Sequence, residues 1–489
     1  MGIGIIDRLL EKPWQGLAAL CFLQVVLWTG LPGIGSTSPT LDVAEMLAWG
    51  QEWQLGYAKH PPLPAWIAEI ARNITGEPIY GPILASQLLV ATSFLFVFLL
   101  GRRLLGTRDA LVGTWLLTGV YYFSWPTPEL NHNVVQMPIW AAALYLFAVI
   151  GEAPRRIVPW LWLGAVAGIG IYAKYSVVIL YALLALWTLA ERPRRAALAT
   201  PGPWLGALVA LAIAAPHLGW LVAADFLPLS YAAARSAGEA SFGRPFGFLA
   251  AQIANHLPML VPLAPVLLTG RRPADGVPAP GEALRFLAVA TFAPALLTAA
   301  LALFAGAGLK DMWGAPMFST SGLLAVALLR PRLGPAARRA MVAGALILLV
   351  VVPVAYALQA PVAAALGTKP PRTGWPMDAI AVTATESFRT TTEGRLAFVG
   401  GDPWLAALVS AGSPDRPSVV FSDPERTAPW ATAQALRQHG LLLLWRDGDA
   451  AAEPPYGLTV ATEGSVLLPW SGPGDLVLHY RVVAPASQR

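Results

Sequence analysis

Long stretches without a charged side chain constrain the fold of this chain more than any other feature. Residues 83–100 and 341–358 carry no charge and are long enough to cross a bilayer as helices. Over the whole chain 12% of the residues are charged and 56% are hydrophobic, whereas about a quarter of a soluble protein is charged. Because such a chain cannot turn most of its surface to water, this composition excludes a disordered chain, a coiled coil and a cytosolic enzyme.

Eleven apolar segments predict an α-helical polytopic membrane protein. The first segment follows Arg8 and Lys12 and has no small-residue cleavage site, so we expect it to be retained as a helix. Several others are shorter than the ~20 residues that a perpendicular span needs, and we expect their ends to be buried in protein. The predicted spans are 16–31, 83–100, 110–123, 134–150, 158–172, 176–190, 204–223, 248–268, 286–304, 315–329 and 341–358.

The basic residues predict the orientation of these spans. Arginines concentrate in every second connection, for example Arg102 and Arg103 in one and Arg338 and Arg339 in another. Positive charge is hard to translocate, so these connections and the N-terminus are predicted to be cytoplasmic. An odd number of spans then places the residues after 358 outside. The alternate connections contain few basic residues: Lys59, Arg72, Lys174, Arg235, Arg244 and Lys310.

Residues 359–489 are richer in proline, glycine, threonine and aspartate than the rest of the chain. Short apolar runs alternate there with helical patterns, which predicts a small α/β domain. The predicted strands are 396–400, 418–421, 441–445, 466–468 and 476–483, and the predicted helices are 403–411 and 427–439. We therefore expect a membrane domain over residues 1–358, with a long first outer loop at 32–81, and a soluble periplasmic domain over 359–489.

The ionisable residues of the membrane part gather on its outer side. Of five lysines in the chain, Lys59, Lys174 and Lys310 lie on that side. The four histidines of this part follow the same pattern: His60, His132, His217 and His256. Ionisable groups at a membrane edge are costly and mark functional sites, so we predict one shared, outward-facing site. The alternative is that these are ordinary loop residues at a wet interface.

The first outer loop contains a helical pattern. Residues 42–53 repeat apolar and aromatic residues at helical spacing, which predicts an amphipathic helix lying in the membrane interface, with Thr40 as its cap. Asp42 and Glu45 share one face near the start of that helix. The segment Tyr57-Ala-Lys59-His60-Pro-Pro-Leu follows it. The alternative is that Asp42 only caps the helix and that the two prolines only interrupt the chain.

These motifs together resemble a known family. An acidic residue after the first span, a helix, and then Tyr57-x-Lys59-x-Pro-Pro-Leu resemble the GT-C glycosyltransferases that use polyprenyl-phosphate sugars. The bacterial members of glycosyltransferase family 39 and the aminoarabinose lipid A transferases are the most similar groups. Lys174-Tyr175 between the fifth and sixth spans and Lys310-Asp311-Met-Trp313 before the tenth support this resemblance, which covers the span layout of residues 1–358.

The resemblance implies roles for particular residues. The family's catalytic base corresponds to Asp42, and the lysine that contacts the donor phosphate corresponds to Lys59. The sequence departs from the family in three places, because Val43 replaces the second residue of an Asp-Glu pair, Glu45 replaces an arginine, and Ala58 replaces a glutamate. The phosphate contacts must therefore be built differently, and a lipid A substrate is not implied.

A mechanism follows from these roles. The chain would move a hexose or pentose from a polyprenyl-phosphate donor to a lipid, glycan or protein acceptor on the periplasmic face. Lys59, Lys174 and Lys310 would stabilise the departing phosphate, and Asp42 would take the acceptor proton. A single carboxylate predicts inversion, while Glu45 leaves double displacement open. The predicted substrate-binding residues are Tyr57, His60, Glu129, Asn131, His132, Asn133, Tyr175, Asp311 and Trp313.

Other readings stay open at this point. Asn131 and Asn133 could merely cap a turn, and Trp313 could sit at the level of the lipid headgroups. No cofactor is expected, although the four histidines could hold a divalent metal with Asp42 or Glu45; their spacing matches no compact ligand motif.

The expected partners are the lipid-linked donor, the acceptor and membrane lipids, without nucleic acid, and we expect a monomer. A transporter or flippase of lipids or glycans is the alternative function, and a scaffold for envelope assembly is the third. Transporters usually place their charges near the bilayer midplane, which disfavours that alternative here.

Overall fold

The computed structural model describes residues 2–237, 243–269, 278–306 and 308–486. The chain forms two compact units. The first, called the span unit, comprises Met1–Thr29, Ser86–Thr127 and His132–Pro353. The second, called the loop-and-tail unit, comprises Gly30–Ala85, Pro128–Asn131 and Val354–Arg489. The first loop is thus grouped with the tail, whereas the predicted domain boundary at residue 358 stays a prediction.

Within the described residues, seven helices are long and apolar enough to cross a membrane. An eighth candidate is a pair of helices, Asp311–Phe318 and Ser321–Arg332, that meet at an angle of 58°. A multi-span helical protein is therefore confirmed, and the predicted number of eleven is not. The seven helices are Pro13–Ile34, Tyr80–Leu105, His132–Glu152, Pro201–Ala223, Gly243–Leu268, Gly281–Phe304 and Pro335–Ala365.

Four predicted spans differ from a long continuous helix. The third is the helix Thr107–Leu116 followed by two 3₁₀ turns. Most of its residues are buried in protein, and at Gly119 an added Cβ would lie 2.7 Å from the Cα of Met259. The fifth and sixth are Ile157–Ala173 and Val177–Ala190, which have 17 and 14 residues. The tenth is the bent pair. Segments that face lipid and segments that face protein are equally apolar. Composition therefore did not reveal where these helices are short, bent or interrupted.

Three of these helices position polar residues of the span unit. His132–Glu152 begins with His132 and Asn133, which are both buried. Ile157–Ala173 ends immediately before Lys174, whose backbone is extended. The 3₁₀ helix Asp311–Phe318 carries Trp313 in its first turn.

The loop-and-tail unit contains five helices that matter for the site. They are α1 (Leu41–Gly50), α2 (Leu63–Thr75), α3 (Met377–Thr392), α4 (Pro403–Gly412) and α5 (Ala433–His439). Helix α1 packs against both α2 and α4. At Gly50 the approach to α2 is so close that an added Cβ would lie 2.4 Å from the carbonyl oxygen of Ala65.

The prediction of an interfacial helix at residues 42–53 was wrong about its surroundings. Helix α1 buries Val43, Met46, Leu47 and Trp49 against the rest of the loop-and-tail unit. Apolar side chains at helical spacing indicate a buried face, but they do not distinguish a lipid neighbour from a protein neighbour. Thr40 precedes the helix but makes no capping hydrogen bond through its side chain, contrary to the prediction.

The described part of the tail forms one five-stranded sheet with the strand order β2-β1-β3-β5-β4. Strands β2, β1 and β3 are parallel, and β5 and β4 are antiparallel to their neighbours. This confirms the strands expected from the alternation of strand and helix patterns. The strands are β1 (Phe398–Gly401), β2 (Ser418–Val420), β3 (Leu441–Arg446), β4 (Thr462–Leu468) and β5 (Leu476–Val483).

Candidate active site

Asp42 lies in the first turn of α1 and contacts two residues that are far away in the sequence. Its amide donates a hydrogen bond of 3.1 Å to Oε1 of Glu129. Its own Oδ2 accepts a hydrogen bond of 3.0 Å from Nδ2 of Asn131. The first amides of a helix have no partner within the helix and carry partial positive charge, so a carboxylate is stable there. Glu129 therefore caps the helix, and Asn131 orients the carboxylate of Asp42.

The surroundings of Glu129 favour its protonated form. Burial, together with the neighbouring charge of Asp42, raises the pKa of Glu129 to about 7. Two carboxylates this close do not both ionise easily. A proton on Glu129 removes one negative charge from the neighbourhood of Asp42. This gives Glu129 a role that the sequence did not predict, since we expected it to bind sugar hydroxyls.

Glu45 lies one turn after Asp42 in α1 and pairs with Lys59. The Nζ atom of Lys59 is 2.5 Å from Oε1 of Glu45. Burial raises the pKa of the Glu45 carboxyl, and the Lys59 ammonium opposes that shift. This pairing was not predicted, because 14 residues separate the partners. It also means that the ammonium expected to bind phosphate is held by a carboxylate.

A tight turn between α1 and α2 presents Lys59. The amides and carbonyls of Tyr57 and His60 bond to each other, with distances of 3.1 and 3.3 Å. The rings of Tyr57 and Trp49 stack with centroids 5.2 Å apart and planes 5° apart. The Lys59 ammonium lies 5.9 Å from the centroid of the Trp49 ring. The buried aromatic pair therefore fixes the turn, and the turn fixes the lysine.

The span unit has a polar group of its own around Lys174. The Nζ atom of Lys174 donates a hydrogen bond of 2.7 Å to Oδ1 of Asn133. The same ammonium lies 5.8 Å from the centroid of the Trp313 ring. Lys174 directly follows a helix, where a positive charge interacts favourably with the partial negative charge of the last carbonyls. The structure thus brings together three of the predicted site residues.

The remaining predicted residues of the span unit make contacts that hold the fold. The hydroxyl of Tyr175 and Nε2 of the buried His217 are 3.0 Å apart. Tyr122 donates to the backbone carbonyl of Asp311. The carbonyl of Lys310 accepts from the amide of Trp313, and that of His132 accepts from the side chain of Gln136.

The two histidines within the spans, His217 and His256, are both hydrogen-bonded. His217 bonds Tyr175, and Nδ1 of His256 is 2.7 Å from the carbonyl oxygen of Gln252. Across the described ranges, no three side chains of His, Cys, Asp or Glu lie close enough together to hold a metal ion. The prediction of one shared site for all these polar residues stays a prediction.

The sequence did not reveal a second set of residues in the loop-and-tail unit. Glu69 of α2 is buried, and its carboxylate pairs with Arg416 of the tail. Gln51, directly after α1, bonds Ser410 of α4. The signal in the sequence was Glu69, an isolated acidic residue within the apolar helical pattern of residues 63–75. A carboxylate at a buried position needs a charged or hydrogen-bonding partner.

Sequence comparison relates the chain to membrane glycosyltransferases. Residues 59–220 match the family model of dolichyl-phosphate-mannose-protein mannosyltransferases. The lipopolysaccharide core galacturonosyltransferase RgtA of Rhizobium johnstonii is 32% identical over 261 residues, which are 50% of each chain. The lipopolysaccharide core galacturonosyltransferase RgtB of the same organism is 27% identical over 61% of this chain and 62% of its own. The chain thus matches about half to two thirds of these relatives' lengths.

The fold matches that of ArnT from Cupriavidus metallidurans. The crystal structure of ArnT bound to undecaprenyl phosphate superposes with a TM-score of 0.61 at 14% identity, over 95% of this chain and 97% of that one. The apo structure gives the same TM-score over 98% and 99%. The similarity in sequence and the similarity in fold confirm the predicted resemblance to GT-C glycosyltransferases of the family 39 type.

Proposed function

We propose that this chain, which resembles the family 39 GT-C glycosyltransferases in sequence and in fold, transfers a sugar from a polyprenyl-phosphate donor to an envelope acceptor. The observation that carries the proposal is the carboxylate of Asp42 at the start of α1. Asn131 orients this carboxylate, and Glu129 accepts a hydrogen bond from the backbone amide of Asp42. Such an oriented carboxylate, one helical turn from the Glu45–Lys59 pair, is suited to receive a proton from a hydroxyl group.

In the proposed step, the oxygen of an acceptor hydroxyl attacks the anomeric carbon of the donor sugar. The bond between that carbon and the phosphate oxygen breaks, and its electron pair leaves with polyprenyl phosphate. The hydroxyl proton moves to a carboxylate oxygen of Asp42. Proton transfer to a positioned base contributes about 10²–10⁴-fold to the rate.

Lysine side chains stabilise the leaving phosphate in this proposal. Lys59 is assigned to the donor phosphate, with Glu45 holding its ammonium until the donor binds. Lys174 and Lys310 are assigned from their sequence motifs, and the contact of Lys174 with Asn133 supports an ordered ammonium. An ammonium near a departing phosphate acts more strongly at a membrane edge than in bulk water, because the local dielectric is lower.

The pairing of Glu45 supports a single displacement with inversion of the anomeric carbon. A retaining enzyme needs a second carboxylate as nucleophile, about 5 Å from the first. Glu45 is the carboxylate that sequence position offers for that role, and it is engaged by Lys59. We therefore assign Glu45 to the positioning of Lys59 and leave Asp42 as the one base.

The names of the relatives support the proposed substrate class. RgtA and RgtB are named as galacturonosyltransferases of the lipopolysaccharide core, and ArnT was crystallised with undecaprenyl phosphate. We propose a polyprenyl-phosphate sugar as donor and a glycolipid of the envelope as acceptor, on the periplasmic face of the inner membrane. The alternating arginines support this orientation.

Mass spectrometry of envelope glycolipids tests this function. Cells that lack the chain should lose one sugar residue from a glycolipid or glycan, and a plasmid copy should restore it. A plasmid copy carrying Asp42→Asn should not. Unchanged glycolipids in the deletion strain would contradict the proposal. A flippase would instead be indicated if a lipid-linked sugar accumulated on the inner leaflet of the deletion strain. Wild-type and Asp42→Asn copies would then remove that accumulation equally.

A further inference from the structure

An ion pair between the partly exposed Arg416 of the tail and the buried Glu69 of the first loop lies within the loop-and-tail unit. Arg416 donates two hydrogen bonds to Glu69, one of 2.9 Å to Oε1 and one of 2.8 Å to Oε2. Glu69 is 3% exposed. The two residues are 347 positions apart in the chain. Bidentate pairs of arginine and carboxylate fix orientation as well as distance, so this contact defines how α2 sits on the tail.

The tail holds Arg416 in a costly backbone conformation. Its φ is +47°, in the left-handed region that residues other than glycine rarely adopt. The neighbouring Asp415 anchors the loop: its carboxylate accepts the amide of Leu396 at 3.0 Å and the guanidinium of Arg389 at 2.7 Å. A strained residue persists only where its surroundings over-determine it. The anchoring by Asp415 thus lets Arg416 point its side chain at Glu69.

Two further hydrogen-bonding residues act beside this pair. Gln51, which follows α1, donates to Oγ of Ser410 and to the carbonyl of Pro417, both at 3.1 Å. Arg72 of α2 donates to the carbonyl of Ala411 at 3.0 Å. All of these partners lie in the tail, at the end of α4 and the start of β2. The end of α1 and, through Glu69 and Arg72, the second half of α2 are therefore attached to one surface of the tail.

The attachment reaches the candidate active site through the contact between α1 and α2. An added Cβ at Gly50 of α1 would lie 2.7 Å from the Cβ of Glu69, so Glu69 lies where the two helices touch. Helix α1 carries Asp42 and Glu45, and the turn between the helices carries Lys59. A shift of α2 would therefore move the carboxylates and the lysine relative to each other.

We propose that Arg416 and Glu69 are positioning residues for this site, and that the tail serves to hold α1 and α2 in the geometry that transfer requires. This inference rests on the proposed function for its catalytic part. Ion pairs in a protein interior are weak contributors to stability, because desolvation offsets their attraction. The bidentate contact of Arg416 with the buried Glu69 is better explained by the positioning of α2, since small displacements of a catalytic group cost about 10²-fold in rate.

The test combines hydrogen exchange with turnover in three variants of the full-length protein: Glu69→Gln, Arg416→Gln and the double variant. Each single variant should speed amide exchange in residues 41–50 by about tenfold or more, while β1 and β3 keep their protection. It should lower kcat by about tenfold or more with little change in donor KM. The double variant should lose no more exchange protection and no more kcat than the more impaired single variant, because both residues act through one contact.

Two further variants separate the loss of this contact from a general effect of changing an arginine in the tail. Arg437→Gln removes an exposed arginine of α5 in the same tail and should change neither readout. If the Gln variants fail to fold, Arg416→Lys keeps the charge, loses the bidentate geometry and should give the same changes more weakly. Unchanged amide exchange in residues 41–50 in these variants would overturn the inference. A rise in donor KM without a fall in kcat would also overturn it. Exchange needs no turnover, so an inactive wild type would refute the proposed function and not this positioning role.

Discussion

The Nδ2 atom of Asn131 lies 3.0 Å from Oδ2 of Asp42, although 89 positions separate the two residues. Glu129, two residues before Asn131, accepts the Asp42 amide. One short segment of the chain therefore provides both contacts that define the orientation of the carboxylate. Acidic residues at helix starts are common, whereas a carboxylate oriented by a distant side chain is the arrangement that the proposed role of Asp42 as a base requires.

Replacing Asn131 should weaken catalysis without removing it. In Asn131→Ala the carboxylate of Asp42 loses its orienting donor and samples other rotamers, so kcat should fall by about tenfold while donor KM changes little. Initial rates at varied donor concentration measure this. An unchanged kcat would mean that Asn131 does not orient the base.

Removing the ammonium of Lys59 should impair use of the donor more than use of the acceptor. Lys59→Ala should raise donor KM by about tenfold or more and leave acceptor KM nearly constant, because the lost charge faces the phosphate. Lys369→Ala, which removes an exposed lysine between Pro335–Ala365 and α3, is the matched control and should behave as wild type. Wild-type kinetics in Lys59→Ala would remove this residue from phosphate binding.

Glu52 should make the stability of the protein depend on pH. Burial raises the pKa of Glu52 to about 7, against the lowering effects of Ser418 and Arg416. The folded protein therefore binds this proton more tightly than the unfolded chain. The associated stability is present below about pH 4.5 and is lost as pH rises through about 7. Glu52→Gln should match wild type near pH 5 and gain up to about 3 kcal/mol at pH 8.

Thermal unfolding of both proteins at the two pH values measures this difference. If Glu52→Gln were stabilised equally at both pH values, the stabilisation would not come from the titration of Glu52. A variant that is destabilised at pH 8 would show that the ionised carboxylate is well paired with Arg416 in the folded protein.

Chelation should leave the proposed reaction intact. The phosphate leaving group is stabilised by lysines in this account, so treatment with a strong chelator followed by its removal should leave the turnover rate within about twofold of the untreated rate. Reversible loss of activity that one particular divalent metal restores would favour a metal site that includes His60 with Asp42 or Glu45.

The tail domain could be predicted well because local patterns determine it. The alternation of short apolar runs and helical segments predicted five strands, which the structure shows as β1 to β5, although it did not predict their directions. The helix predicted at 427–439 is shorter in the structure, where α5 begins at Ala433. Helix α3 was not predicted, because its many threonine residues do not favour a helix over other structures.

The partners of the site residues could not be predicted because they depend on long-range packing. The motif around residues 42–63 placed Asp42 and Lys59 in the first loop, but the Glu45–Lys59 pair needs the turn between α1 and α2 to fold. The pair of Glu69 and Arg416 joins residues that no spacing rule connects. The burial of α1 was missed for a related reason, since an apolar helix face is compatible with lipid and with protein.

Turnover by the Asp42→Asn variant tests the central claim most directly. The purified full-length protein in liposomes, supplied with lipid extract containing polyprenyl-phosphate sugars and with envelope glycolipid from the deletion strain, should add one sugar mass to that glycolipid. Asp42→Asn should fold, reach wild-type abundance and lower the rate by about 10² or more. Asp378→Asn, which changes an exposed aspartate in the first turn of α3, should keep the wild-type rate. Wild-type turnover in Asp42→Asn would contradict the account.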